Sequence, residues 1–169
     1  MLRPIQAFLQ DAVHAPLEEF FERHPHPVLL VAPFAAEEDP RFKTVAGGGP
    51  DAGGVWWVAP VTKRPGSNVF TAMVTIGRAR NNDVELNAST VSKFHAYVTL
   101  GPGGPMLVDA GSTFGTYVGE HRLTPRAERH PLRTGDLLRV GAVSLTYLEP
   151  AAFHEHLRRE GDRELRAAG

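Results

Sequence analysis

The sequence predicts a mainly β protein built as an antiparallel β-sandwich. Three observations support this prediction. From residue 55 onward, short runs rich in apolar and β-branched residues follow one another. Turn-forming residues, such as those at 65–68, 81–83 and 101–104, separate these runs. No helical pattern interrupts them before residue 151. Many short strands at regular spacing without intervening helices are typical of a sandwich.

The strand pattern also fixes which way some side chains face. The predicted strands are residues 55–61, 70–76, 84–86, 96–100, 106–108, 116–118, 137–140 and 143–148. Trp56 and Trp57 are neighbours in the first strand, and successive side chains of a strand point to opposite faces. One tryptophan should therefore lie in the sandwich core. The other should be covered by the N-terminal segment or by a partner.

The residues before the sandwich form a small α/β extension. Apolar residues at helical spacing predict a helix over 4–14, and Pro16 interrupts it and can open a second short helix. Residues 28–31 form a short buried strand. Residues 35–54 are acidic and then glycine-rich, which indicates a connection. The predicted organisation is an extension over 1–54, a sandwich over 55–150 and a short C-terminal helical tail over 151–169.

Composition narrows the classes of function. The 169-residue chain has a net charge of −1, so it lacks the basic field of a general nucleic-acid binder. It has no cysteine, which excludes disulfides and thiolate metal sites. No apolar run reaches the roughly 18 residues of a membrane span, and the N-terminus has no signal-peptide pattern. We therefore expect a cytoplasmic protein without a membrane segment.

Three loops carry the donors needed to hold a phosphate. Arg78 follows Gly77 at a predicted strand end, Ser92 and Lys93 lie in the next loop, and Thr113 lies in a third. A guanidinium can bind two phosphate oxygens, while hydroxyls and an ammonium add further donors. Residues 61–95 hold five Lys or Arg against two acids, which suits a local anion site on a nearly neutral protein.

The spacing of these motifs resembles the forkhead-associated (FHA) domain family. The resemblance covers about residues 56–149 and rests on five linked motifs. These are Gly77-Arg78, Asn82-Asp83-Val84, Ser92-Lys93-Phe94-His95-Ala96, Asp109-Ala110-Gly111-Ser112-Thr113 with Gly115-Thr116, and Leu132-Arg133-Thr134-Gly135-Asp136. It implies an eleven-strand sandwich that binds phosphothreonine peptides and has no catalytic activity.

The resemblance also implies roles for single residues. Arg78 and Ser92 would bind the phosphate, and Lys93 and Thr113 would flank it, with Thr113 placed to sense the threonine methyl. His95 would brace its loop through its ring nitrogens, and Gly77 and Gly115 would support the site. The implied partner is a threonine-phosphorylated protein made by a Ser/Thr kinase. No cofactor and no metal are implied, and the oligomeric state stays open.

Phe114 departs from the family pattern, which usually has asparagine at this position to grip the peptide backbone. Phenylalanine has no polar side-chain atom, and losing two hydrogen bonds at roughly 0.5–1.5 kcal/mol each would weaken binding by about one to two orders of magnitude. Three outcomes stay open. Phe114 could weaken the site, supply an apolar platform for a different peptide side chain, or pack inward and reshape the loop.

Other functions have weaker support. Ser92 and His95 invite a nucleophile and base, but the sequence lacks a Gly-x-Ser-x-Gly elbow. Neither close histidine pair, 24 with 26 or 154 with 156, has a cluster of acids nearby. On a helix, moreover, residues 154 and 156 point away from each other and cannot chelate together. The alternative function is a phosphate-independent protein-interaction or assembly module, in which Phe114 makes the phosphothreonine site degenerate and the N-terminal segment is the interface. A weaker hypothesis is that Lys63, Arg64 and Arg80 favour acidic residues after the phosphothreonine.

Overall fold

The computed structural model describes residues 2–34 and 54–167. The strands of the described residues, in chain order, are β1 (Arg3–Pro4), β2 (Val28–Val31), β3 (Trp57–Pro60), β4 (Met73–Gly77), β5 (Val84–Glu85), β6 (Ala96–Gly101), β7 (Gly104–Asp109), β8 (Thr116–Val118), β9 (His121–Arg122), β10 (His130–Pro131), β11 (Leu137–Val140) and β12 (Val143–Leu148). The helices are α1 (Gln6–His14), α2 (Leu17–Arg23) and α3 (Pro150–Ala167). The predicted connection over 35–54 lies, except for its last residue, outside the described residues.

The strands form two sheets packed face to face, which confirms the predicted sandwich. One sheet has seven strands in the order β1-β3-β2-β12-β11-β8-β9, and the other has five in the order β10-β7-β6-β4-β5. Every neighbouring pair is antiparallel except β4 with β5, which is parallel. Strands β4 and β6 lie side by side, with Ile76 opposite Ala96, so the chain segments that follow β4 and precede β6 meet.

Strand β2 lies inside the seven-stranded sheet, between β3 and β12. All four of its residues are buried, because both faces of the sheet are covered there. Leu29 and Val31 pack into the core between the two sheets. Val28 and Leu30 face the other way, into a second core shared with the helices. A segment that the sequence places in the N-terminal extension therefore completes the sandwich.

The three helices cover part of the outer face of the seven-stranded sheet. Phe8 of α1, Phe20 of α2, and Phe153 and Leu157 of α3 are all buried in the second core. Helices α1 and α3 approach closely at Gly161, where a Cβ would lie 3.1 Å from a methyl of Val13. None of the helices in the described ranges combines the length and the apolar character needed to cross a bilayer.

The adjacent tryptophans confirm the predicted alternation. Trp57 packs against the core between the sheets, and Trp56 packs against the core beneath the helices. The N-terminal segment thus supplies the cover predicted for the second tryptophan.

Candidate functional site

Strand β4 ends at Gly77, and Arg78 follows it into the first of the three loops. The Arg78 amide donates to the carbonyl of Ser92 at 2.9 Å, and its Nε donates to the carbonyl of Val91 at 3.2 Å. A Cβ at position 77 would lie 2.4 Å from the Lys93 carbonyl oxygen. Only glycine fits this close approach of two backbones. The predicted supporting role of Gly77 therefore has a steric basis.

Asn82 ties the first two loops together. Its Nδ2 donates to the carbonyl of Ala79 and to that of Lys93, both at 2.7 Å. The side chain is buried, so these contacts are shielded from water. Asn82 belongs to the Asn82-Asp83-Val84 motif, but the sequence predicted no role for its side chain. The pattern Asn-Asp-Val at a strand start gives no signal of a contact that reaches a loop eleven residues away.

His95 connects the second loop to the third. The ring is fully buried, and its Nδ1 accepts the Ser92 amide hydrogen at 3.0 Å. Its Nε2 then donates to the carbonyl of Gly115, also at 3.0 Å. This pair of bonds requires the neutral ring with its proton on Nε2. The geometry supports the expected bracing role of His95 and leaves neither ring nitrogen directed at a substrate.

The third loop comes within hydrogen-bond distance of the second. The amide of Thr113 donates to Ser92 Oγ at 3.2 Å. The phosphate-binding candidates Arg78, Ser92 and Thr113 are thus joined by direct contacts. Lys93 is solvent-exposed on the same loop as Ser92. In the ranges 2–34 and 54–167 no cluster of histidine and carboxylate side chains that could hold a metal ion is found.

The buried Asp109 carboxylate holds the third loop through hydrogen bonds. It accepts the amides of Gly111 and Ser112 at 2.8 and 2.9 Å, and the hydroxyls of Ser112 and Thr116 at 2.6 Å each. Burial by itself would raise the pKa of Asp109, but these hydrogen bonds outweigh it and hold the pKa below its usual value. A fixed anion therefore shapes the loop that carries Thr113.

Phe114 faces solvent. Its side chain is 55% exposed, which excludes the possibility that it packs inward. Phe94, next to Lys93, is 40% exposed and stacks on Phe70 with ring centroids 6.0 Å apart and planes at 11°. Two solvent-facing phenyl rings therefore lie close in sequence to the Ser92 and Thr113 donors.

A buried carboxylate fixes the loop that precedes β4. Asp83 has no exposed side-chain surface and accepts Lys63 Nζ at 2.7 Å, Ser67 Oγ at 2.6 Å and the Arg64 amide at 2.9 Å. Burial would raise the pKa of Asp83, but the bonds from Lys63, Ser67 and the backbone hold it well below the usual range. Lys63 is committed to this ion pair, which weakens the hypothesis that its charge attracts acidic peptide residues.

We expect a nuclear magnetic resonance titration to place the pKa of His95 below 6.5. Burial lowers it, and the bond to the Gly115 carbonyl and the charge of Asp109 only partly oppose this. An unfolded histidine then takes up its proton at higher pH than the folded one. Acidification below about pH 6.5 therefore favours the unfolded state, and this part of the stability is lost.

Denaturant unfolding at pH 7.5 and at pH 5.5 tests the same effect on stability. The free energy of unfolding should be lower at pH 5.5 than at pH 7.5. This difference should be smaller in His95→Gln than in the wild type but unchanged in His14→Gln, since His14 is exposed on α1. A pKa of His95 at or above 6.5, or an equal fall in both variants, would contradict this account.

A β-sandwich whose adjoining loops gather guanidinium, hydroxyl and amide donors is a class of domain suited to binding an anionic group. The FHA domain model matches residues 74–141, a segment that includes all three loops. This match confirms the resemblance inferred from the motifs.

The chain is also similar to known proteins over part of its length. An oxoglutarate dehydrogenase inhibitor of Corynebacterium efficiens is 39% identical over 79 residues, covering 46% of this chain and 53% of the relative. The protein of the same name from Corynebacterium glutamicum is 36% identical over 74 residues, covering 44% and 49%. The chain thus spans about half the length of these relatives.

A solved structure shows the same fold. The N-terminal FHA domain of Saccharomyces cerevisiae Rad53p, in complex with a phosphothreonine peptide, is 17% identical with a TM-score of 0.50. The match covers 77% of this chain and 98% of that one.

Proposed function

We propose that the protein is a phosphopeptide-binding module that recognises threonine-phosphorylated proteins in Ser/Thr-kinase signalling. The observation that carries this proposal is the convergence of the three loops on Ser92. Arg78 donates to its backbone carbonyl, and Thr113 donates to its side-chain oxygen. A phosphate placed here would meet a guanidinium, a hydroxyl and a loop amide. Lys93 lies beside them.

The energetics of the site favour a phosphate over a neutral group. A phosphothreonine carries a charge of about −1.5 to −2 at pH 7. Hydrogen bonds in which both partners are charged are about twice as strong as neutral ones, and arginine can form two of them to one phosphate. The His95 and Asn82 contacts hold the donor loops in place before the ligand arrives, so little ordering entropy is lost on binding.

The comparisons support binding rather than catalysis. The relatives from Corynebacterium are named as inhibitors of an enzyme, and the similar FHA structure is named as a complex with a phosphothreonine peptide. The alternative of an assembly module built on the N-terminal segment has less support. Phe8 and Phe20 of this segment are buried against the sheet and α3, so these two aromatic side chains are not available to a partner.

The test is a titration of the protein with a degenerate phosphothreonine peptide library and with the same library lacking phosphate. We expect saturable binding to the phosphorylated library alone. Equal binding to both libraries, or no binding to either, would overturn the proposal.

We expect Phe114→Asn to tighten phosphopeptide binding by about tenfold. Asparagine would restore one donor and one acceptor at an exposed position, each worth about 0.5–1.5 kcal/mol. Calorimetric titration of wild type and variant with one phosphopeptide selected from the library measures the change.

Phe114→Ala is the matched control, because it removes the ring without adding an amide. Weaker binding in Phe114→Ala would show that the ring itself serves as an apolar platform. If Phe114→Asn binds no more tightly than wild type, the missing amide is not what limits affinity.

A further inference from the structure

The third loop is flanked by two arginines that the phosphate site described above does not use. Arg122 belongs to β9, and Arg126 lies in the turn that follows it. Both are solvent-exposed, and each lies against a glycine of the loop. A Cβ at Gly115 would lie 2.6 Å from Arg122 Nε, and one at Gly111 would lie 2.8 Å from Arg126 Nη2. We call Arg122 and Arg126 the arginine pair.

Arg122 is positioned by an aromatic ring. Tyr117 lies opposite Arg122 across β8 and β9, and opposite Arg139 across β8 and β11. The Arg122 guanidinium carbon lies 5.9 Å from the centroid of the Tyr117 ring, and that of Arg139 lies 3.7 Å from it. Stacking on the ring limits the rotamers of these long side chains. The guanidinium of Arg122 is therefore held beside Gly115, the neighbour of Phe114.

The backbone conformation of Arg126 and two hydrogen bonds fix the position of its side chain. Its φ is 61°, the left-handed region that non-glycine residues seldom occupy. Its amide donates to the carbonyl of Asp109 at 2.9 Å, and its Nε donates to that of Ala110 at 3.0 Å. This strained conformation places the guanidinium against Gly111.

Among the described residues, no acidic side chain neutralises the charge of the arginine pair. Across residues 2–34 and 54–167, neither guanidinium forms an ion pair. The nearby acid Glu128 instead accepts His121 Nε2 at 2.7 Å and the Thr124 amide at 2.9 Å. Two guanidinium groups, each rich in N–H donors, therefore border the loop in which Phe114 stands where the family usually has asparagine.

We propose that the arginine pair is a second anion site, which binds a negatively charged side chain of the partner close to its phosphothreonine. The ligand is a carboxylate or a second phosphate, since a guanidinium fork fits both. This inference rests on the proposed phosphopeptide function. It makes Arg122 and Arg126 determinants of specificity that compensate for the polar grip absent at Phe114.

The experiment compares three phosphothreonine libraries of equal length. Their flanking positions contain Asp and Glu, or phosphoserine, or only Asn, Gln and Ser. We expect the wild-type protein to bind one of the two anionic libraries about tenfold more tightly than the neutral one, and the stronger of the two identifies the ligand. The preference should decline as salt is raised from 50 to about 500 mM.

The decisive variant combines Arg122→Gln with Arg126→Asn, asparagine being tolerated at a left-handed φ. It should bind all three libraries equally and keep its affinity for the neutral one. Arg158→Gln, at an exposed position on α3, is the matched control and should keep the preference. Equal wild-type binding to all three libraries, or a preference that survives in the double variant, would overturn this inference alone. Failure of the wild type to bind any library would overturn the proposed function as well.

Discussion

Replacing Arg78 with alanine is expected to weaken phosphopeptide binding at least 100-fold. Arg78 follows β4 directly, and its backbone amide and its Nε donate to carbonyls of the Ser92 loop. Two charge-assisted hydrogen bonds to a phosphate are worth about 1.5–3 kcal/mol each, so their loss corresponds to a factor of roughly 10² to 10⁴ in Kd. Calorimetric titration with a selected phosphopeptide measures the loss.

Two further variants make this result specific. Arg78→Lys keeps the charge but not the planar fork, so it should retain part of the affinity. Arg158→Ala removes an exposed arginine of α3 and should bind as wild type does. Circular dichroism must show that each variant is folded. Phosphate-dependent binding that survives in a folded Arg78→Ala variant would contradict the assignment of Arg78.

The largest expected effect on stability comes from Asp83→Ala, which should lower the unfolding free energy by about 3–5 kcal/mol. The change removes a buried acceptor and leaves the Lys63 ammonium, the Ser67 hydroxyl and the Thr75 amide without their partner. Urea unfolding of the variant and of wild type measures the difference. Asp162→Ala, at an exposed position of α3, is the control and should change stability little.

The same carboxylate makes stability depend on pH. The folded state holds the pKa of Asp83 below the 3.8 of an unperturbed aspartate, so the unfolded state takes up its proton first as the pH falls. Its contribution is fully present above about pH 4 and is lost on acidification below that value. An Asp83→Ala variant that loses less than 1 kcal/mol, or keeps the acid sensitivity of wild type, would show that the network is not a major source of stability.

Much of the fold could be predicted because it depends on local patterns. The spacing of apolar residues and the turn residues between them predicted the strands over 137–140 and 143–148 and the C-terminal helix, and the structure has these elements there. The strand predicted over 70–76 begins instead at Met73. Asn68, held by the Asp83 network, accepts the Phe70 amide, and residues 71 and 72 form a turn before the strand. A long-range network overrides local strand propensity there.

Features that depend on pairing between distant segments could not be predicted. The two-residue strands β1, β9 and β10 are too short to show a period, and their pairing depends on partners elsewhere in the chain. The place of β2 between β3 and β12 is likewise a property of the sheet and not of the apolar run at 28–31. Sequence periodicity shows that a strand is buried but does not identify its neighbours.

Some residues of the candidate site could likewise be predicted from the sequence, whereas others could not. The identities of Arg78, Ser92 and Thr113 followed from motif spacing, and the contacts of Ser92 now join them. The exposure of Phe114 and the approach of Arg122 to Gly115 have no sequence signal. Arg122 belongs to a two-residue strand, and only the fold brings it beside the loop. The residues expected to set specificity are therefore those that required the structure.

The most direct test of the central claim is to map where a phosphothreonine ligand binds. Amide resonances of the full chain would be recorded during titration with a selected phosphothreonine peptide, and again with the same peptide lacking phosphate. We expect shifts that depend on the phosphate at residues 77–79, 91–95 and 111–116, with α1, α2 and α3 unaffected. The absence of phosphate-dependent shifts in these loops, or their appearance on the helices alone, would contradict a phosphate site formed by Arg78, Ser92 and Thr113.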